Sequence, residues 1–158
     1  MSVDTEQYIR VTKQFDFEMA HALLGYDGPC KNIHGHTYQL RVTLLGKTIQ
    51  QTDNPKDGMM IDFGALKKTV SENVISKYDH ALVLNKNTPQ HTLGNIQEHF
   101  ENIIFLDFQP TCENLLLHIK DLLNETLAST HYKLFALRLD ETRTSYAEWF
   151  LSDNIKID

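Results

Sequence analysis

Residues 8 to 20 alternate between apolar and polar side chains, with Ile9, Val11, Phe15, Phe17 and Met19 set against Arg10, Thr12, Gln14, Asp16 and Glu18. A period of two marks a half-buried strand. The turn-rich run GYDGP (residues 25 to 29) breaks it, and alternation resumes from His34 to Leu45, with His36, Tyr38, Leu40, Val42 and Leu44 on one side and Thr37, Gln39, Arg41 and Thr43 on the other. That predicts a second strand, antiparallel to the first. After the turn cluster TDNPKDG, Asp62 is a good helix N-cap, and Leu66, Val70 and Val74 form a stripe at four-residue spacing, which predicts a helix over 63 to 77. Residues 79 to 85 (DHALVLN) begin a short extended or irregular piece, 94 to 101 fit a short helix within a polar stretch, and IIFLDF at 103 to 108 fits a short buried strand. Pro110 and Thr111 open a second helix running to about 128, with Leu116, Ile119, Leu123 and Leu127 on one side. Two last strands, in YKLFALRLDE and TSYAEWFL, meet near Glu141 to Thr144 as a hairpin. The order is strand, strand, helix, helix, strand, strand, which is an α+β protein built on a four-stranded antiparallel sheet with two helices over one face. Such a sheet leaves edges that invite pairing with another copy.

The first two strands carry the chemistry. Alternation puts His34 and His36 on one face and Gly35 on the other, while His21 ends the stripe of Phe15, Phe17 and Met19. Three neutral imidazoles suit zinc, and three protein ligands with a fourth position open is the usual catalytic arrangement. Cys30, four residues before His34, allows two readings on spacing alone. Its thiolate is either a base beside the metal or a fourth ligand that closes a structural site. Asp79 and His80 pair a carboxylate with an imidazole, although neighbours on a strand point to opposite faces. Glu113 in a first helical turn complements the macrodipole, and Glu141 at a hairpin reads as solvated. His91, His99, His118 and His131 read as surface or satisfied histidines, Cys112 as a small packed residue and Trp149 as core or interface.

Composition narrows the class. With 158 residues, 41% of them hydrophobic, the chain suits one domain spanning 1–158. A net charge of −6, a pI near 5.7 and no basic block argue against nucleic acid or acidic membrane as partners. With no apolar leader at the start and no run of the roughly 20 apolar residues a bilayer requires, a soluble cytoplasmic protein with reduced thiols is expected.

In combination, FEMAH (17 to 21), CKNIHGHTY (30 to 38), GMMIDFGALK (58 to 67), DHALVLN (79 to 85), PTCEN (110 to 114) and LDET (139 to 142) resemble the 6-pyruvoyltetrahydropterin and 6-carboxytetrahydropterin synthase family over nearly the whole chain. The resemblance implies a T-fold whose sheets join into a barrel by oligomerisation, commonly as a homohexamer of two stacked trimers. It implies zinc on His21, His34 and His36, with Cys30 as proton acceptor and not as ligand. It also implies Asp79 and His80 as a proton relay, Glu141 as anchor of the pterin ring and part of the relay, and Thr111 and Glu113 as lining of the pterin pocket. A carboxylate suits that anchoring because it can accept two parallel N–H bonds. The gap of three residues between Cys30 and His34 resembles the bacterial 6-carboxytetrahydropterin branch. The implied reaction takes 7,8-dihydroneopterin triphosphate to 6-carboxy-5,6,7,8-tetrahydropterin, acetaldehyde and triphosphate, on the route to queuosine and other 7-deazapurines. The alternatives are triphosphate elimination to 6-pyruvoyltetrahydropterin, or a non-catalytic zinc-stapled pterin-binding protein. The stretch from Lys86 to Phe105 is longer than in compact family members, and Lys31, Arg41 and Arg138 are candidates for the triphosphate by charge alone.

Overall fold

The computed structural model describes residues 7–155. The two alternating segments form β1 (Ile9–His21) and β2 (His34–Gly46), which pair antiparallel from Ile9 opposite Gly46 to His21 opposite His34. One face of this hairpin is apolar, with Phe15, Phe17, Met19, Tyr38, Leu40, Val42 and Leu44 all buried. The other is a ladder of polar cross-strand pairs: the Thr12 and Thr43 hydroxyls bond at 2.8 Å, Arg41 donates to Gln14, Gln39 to Asp16 and Thr37 to Glu18. Opposite partners on each face fix the register, since a slip of one residue would turn every side chain over.

Two helices cover the apolar face. In α1 (Phe63–Val70), Asp62 caps the N-terminus by accepting from the Ala65 amide at 2.9 Å, and the helix continues as a π turn (Ser71–Ile75) and a last α turn (Ser76–Tyr78). The expected stripe of Leu66, Val70 and Val74 is buried. In α2 (Cys112–Leu127), Thr111 is the cap and Leu115, Leu116, Ile119, Leu123 and Leu127 face inward into the same core. Cys112 is packed as expected, its thiol donating to the Leu139 carbonyl at 3.3 Å, and burial pushes its pKa up to about 12. Trp149 packs against the core.

The sheet is wider than the four expected strands. β5 (Lys133–Asp140) and β6 (Tyr146–Phe150) extend the β2 side antiparallel, while β3 (Ala81–Asn85) and β4 (Ile103–Leu106) extend the β1 side. The order is β4-β3-β1-β2-β5-β6, and both β1–β3 and β3–β4 are parallel. The correction to six strands has a physical reason: parallel neighbours cannot be joined by a tight turn and need a crossover of about a dozen residues or more. The polar stretch between Asn85 and Ile103 is that crossover, carrying short helical turns at Gln90–Leu93 and Ile96–His99. Among the described residues no helix is long and apolar enough to cross a membrane.

Candidate metal centre and its surroundings

Register brings the histidines together. His21 and His34 are directly opposite at the end of the hairpin, and His36 lies opposite Met19, one pleat back on the same face. The three rings pack edge to face or tilted, with centroids 4.6 to 5.2 Å apart. One ligand atom from each lies within 4.8 Å of the others, and Cys30 does not belong to that converging set.

Backbone carbonyls orient two of the rings. The Nδ1 of His21 is 2.7 Å from the Pro110 carbonyl, and the Nδ1 of His34 is 2.8 Å from the Asn32 carbonyl. A carbonyl only accepts, so both Nδ1 atoms carry the hydrogen and both Nε2 atoms present lone pairs. Those two Nε2 atoms are 3.1 Å apart. Two lone pairs at that distance repel unless a cation sits between them. A proton is disfavoured, because His21 is 2% exposed and its burial lowers its pKa. The Nε2 of His36 is buried without a hydrogen-bond partner, and desolvation lowers the pKa of this ring too. Three converging imidazole nitrogens, two of the rings held by outer carbonyls and the third nitrogen unpartnered, fit a borderline divalent ion such as zinc.

Glu141 also reaches this centre, contrary to its reading as a solvated hairpin residue. It follows β5, and its amide donates to the Ser145 carbonyl at 3.0 Å, which turns the side chain inward. Its Oε1 accepts from the Tyr38 hydroxyl at 3.2 Å and lies 3.6 Å from the Nε2 of His21 and 4.0 Å from that of His36. Tyr38 is fully buried, and burial together with the Glu141 charge raises its pKa, so the phenol remains a donor. Tyr38 was missed as a site residue although it shares the His34 and His36 face. The Pro110 and Asn32 carbonyls leave no side-chain signal in the sequence.

Cys30 lies on a single helical turn, Pro29–Lys31, and is half-buried. Its loop is tied down at both ends. The Leu23 amide donates to the Cys30 carbonyl at 2.9 Å, and the Gln109 side chain bonds both the amide and the carbonyl of Leu24. Gln109 thereby holds the Cys30 loop beside Pro110, and so beside His21. Thr111 accepts from the Asn114 amide, and Glu113 is exposed in the first turn of α2.

Asp79 and His80 are not on a strand, so the opposite-face argument does not apply to them. Asp79 ends the last helical turn and His80 follows with φ 59°, the one positive φ outside glycine among the described residues. That turn brings the His80 Nδ1 to 3.1 Å from the Asp79 Oδ1. The Glu18 amide donates to the same carboxylate at 2.9 Å, and the His80 amide donates to the Glu18 carbonyl at 2.6 Å. These bonds, the Glu18 amide first, hold the Asp79 carboxyl below its ordinary pKa. The His80 ring is 78% exposed and shares with His36 a cleft of about 640 Å³ walled by Met19, Ala20, Ile33 and Phe100. The pair is thus apart from the three-histidine cluster but joined to it by a cleft. Of the phosphate candidates, Arg41 and Arg138 line a second cleft of about 400 Å³, and both already face Asp140.

The chain is similar to known proteins over most of its length. The chain is 32% identical to the 6-carboxy-5,6,7,8-tetrahydropterin synthase of Haemophilus influenzae over 89% of its own length and 97% of that protein's. It is 29% identical to the Rickettsia typhi protein of the same name over 89% and 99%. The 6-pyruvoyl tetrahydropterin synthase of Caenorhabditis elegans superposes with a TM-score of 0.65 at 21% identity, covering 94% of this chain and 99% of that one, so the fold is the T-fold. The family model described as 6-pyruvoyl tetrahydropterin synthase matches residues 10–150, and the chain belongs to that family.

Proposed function

We propose that this protein is a zinc-dependent carbon–carbon lyase that converts 7,8-dihydroneopterin triphosphate and one water to 6-carboxy-5,6,7,8-tetrahydropterin, acetaldehyde and triphosphate, in the cytoplasmic route to queuosine. The observation that carries the reading is the convergence of ring nitrogens of His21, His34 and His36 with Cys30 outside the converging set. The activity for which the Haemophilus influenzae and Rickettsia typhi relatives are named supports the carboxy product.

In this reading the three imidazoles hold zinc, which would acidify a hydroxyl of the substrate side chain. Cys30 accepts a proton from that side chain. His80, kept in one orientation by the Asp79 carboxylate, moves a proton on the other side. Glu141 anchors the pterin ring through its N–H edge, with Thr111 and Glu113 lining the pocket. The assembly is a hexamer of two trimers. What supports it is that, among the described residues, β3 pairs with β1 only at Met19–His21, so most of the outer edge of β1 is open, as is the outer edge of β6.

The test is incubation of purified, zinc-loaded protein with 7,8-dihydroneopterin triphosphate, followed by analysis of the pterin and of acetaldehyde. Carboxytetrahydropterin with stoichiometric acetaldehyde is the expected result. Triphosphate release without acetaldehyde would move the protein to the pyruvoyl branch, the activity named for the C. elegans structure.

A further inference from the structure

The contact between Asp79 and His80 depends on the orientation of one peptide unit, the one that joins them. With φ −62° and ψ 126° at Asp79 and φ 59° at His80, the two residues match the central positions of a type II turn. The second of those positions ordinarily takes glycine, because φ is positive there. Turning the central peptide over would give a type I turn, which a histidine accepts without strain. The same rotation would reverse where that peptide's N–H and C=O point, and both are held. The His80 N–H donates to the Glu18 carbonyl at 2.6 Å, and the Asp79 C=O accepts from the side-chain amide of Asn102 at 3.3 Å. A carbonyl only accepts, so the nitrogen of the Asn102 amide is the atom that faces it.

Strand pairing places Asn102 there. His80 and Asn102 immediately precede β3 and β4, and the Leu82 amide donates to the Asn102 carbonyl at 2.9 Å where the parallel ladder begins with Leu82 beside Ile103. Glu18 immediately precedes Met19, the partner of Ala81. The three residues therefore form a row across β1, β3 and β4. Glu18 holds the peptide through its main chain, so Asn102 is the member that a substitution can remove.

We propose that Asn102 is a positioning residue for His80. Its amide keeps the 79–80 peptide in the type II orientation, and so keeps the ring against the Asp79 carboxylate and in the cleft it shares with His36. This rests on the reading in which His80 moves a proton, and it gives β4, which carries none of the reacting groups, a part in the chemistry.

The test compares the intact, zinc-loaded protein with Asn102→Asp, which keeps the shape and loses the donor, and with Asn102→Ala. With 7,8-dihydroneopterin triphosphate, kcat should fall on the order of 3–10-fold, the worth of one hydrogen bond, while KM stays as in the wild type. Hydrogen–deuterium exchange, read by mass spectrometry, should quicken for the peptide spanning 78 to 82 and remain unchanged across α2. In a His80→Gly background, where the type II turn carries no penalty, Asn102→Asp should quicken that exchange less. Unchanged exchange at 78 to 82 would overturn the proposal whatever the activity, and equal quickening across α2 would reduce Asn102 to general stability and overturn it too. So would a loss confined to KM, which would make Asn102 only a wall of the cleft. With His80→Ala inactive, wild-type kcat in both Asn102 variants would also overturn it. If the exchange responds as expected but His80→Ala turns over like the wild type, the clamp stands and the proton-moving role of His80 fails.

Discussion

Replacing Cys30 by alanine separates the two roles that a thiol near three histidines can have. Among the described residues the donors that converge are His21, His34 and His36 alone, so the variant should bind zinc as the wild type does. Cys30 is half-buried on one helical turn, away from the packed core, and its removal should change stability by about 0.5 kcal/mol or less. Turnover should fall on the order of 10²–10⁴-fold, the usual contribution of a positioned general base, or about 2.7–5.4 kcal/mol in the barrier. The assay has three parts on one preparation: zinc per chain by atomic spectrometry, a thermal melt, and acetaldehyde release from 7,8-dihydroneopterin triphosphate. Full zinc, an unchanged melt and lost turnover would agree with the geometry. Loss of zinc would refute the three-histidine centre and make Cys30 a ligand. Retention of zinc with near-wild-type turnover would refute the base assignment while leaving the centre intact.

Other perturbations reach different parts of the structure. Removing metal with a chelator should lower the melting temperature, because the facing lone pairs of His21 and His34 lose their shared cation. At free zinc of about 100 times Kd the linkage is about 2.7 kcal/mol, or roughly 5–11 °C for a chain of this size, read by a melt with and without added zinc. Leu123→Ala, at a fully buried position on α2, should cost about 2–5 kcal/mol in urea unfolding, and a loss below 1 kcal/mol would contradict the packing of α2 on the sheet. At His80, where φ is 59°, glycine should be more stable than alanine by about 1–2 kcal/mol, since only the alanine meets the left-handed penalty. Both His80 variants should lose turnover alike, and a difference in activity tracking stability would assign His80 to the backbone alone.

The parts of this molecule that announce themselves in the sequence are those in which side-chain pattern and backbone geometry are the same statement. A period of two along β1 and β2 puts three histidines on the core face, and the caps Asp62 and Thr111 mark where the helices begin. Other parts depend on main-chain groups or distant pairing and leave no such trace. β3 and β4 are short and apolar, and nothing local tells a parallel neighbour of β1 from an isolated extended piece. The contact between Asp79 and His80 arises from a left-handed residue at a helix end, a conformation that histidine rarely adopts and that the strand-like reading of the dipeptide did not allow for. The inward turn of Glu141 depends on a bond between main-chain atoms at 141 and 145, and on a phenol more than a hundred residues earlier.

The unbroken register of β1 against β2 has one more consequence. Core and metal centre are specified by the same pairing, from Phe15 opposite Leu40 to His21 opposite His34. A nascent hairpin that closed one residue out of step would show its histidines to the polar face and its Thr, Gln and Glu ladder to the helices, so it would fail as a core and as a chelator together. Metal capture therefore acts as an inspection of strand alignment. A chain that holds the ion has, by that fact, closed its central hairpin correctly.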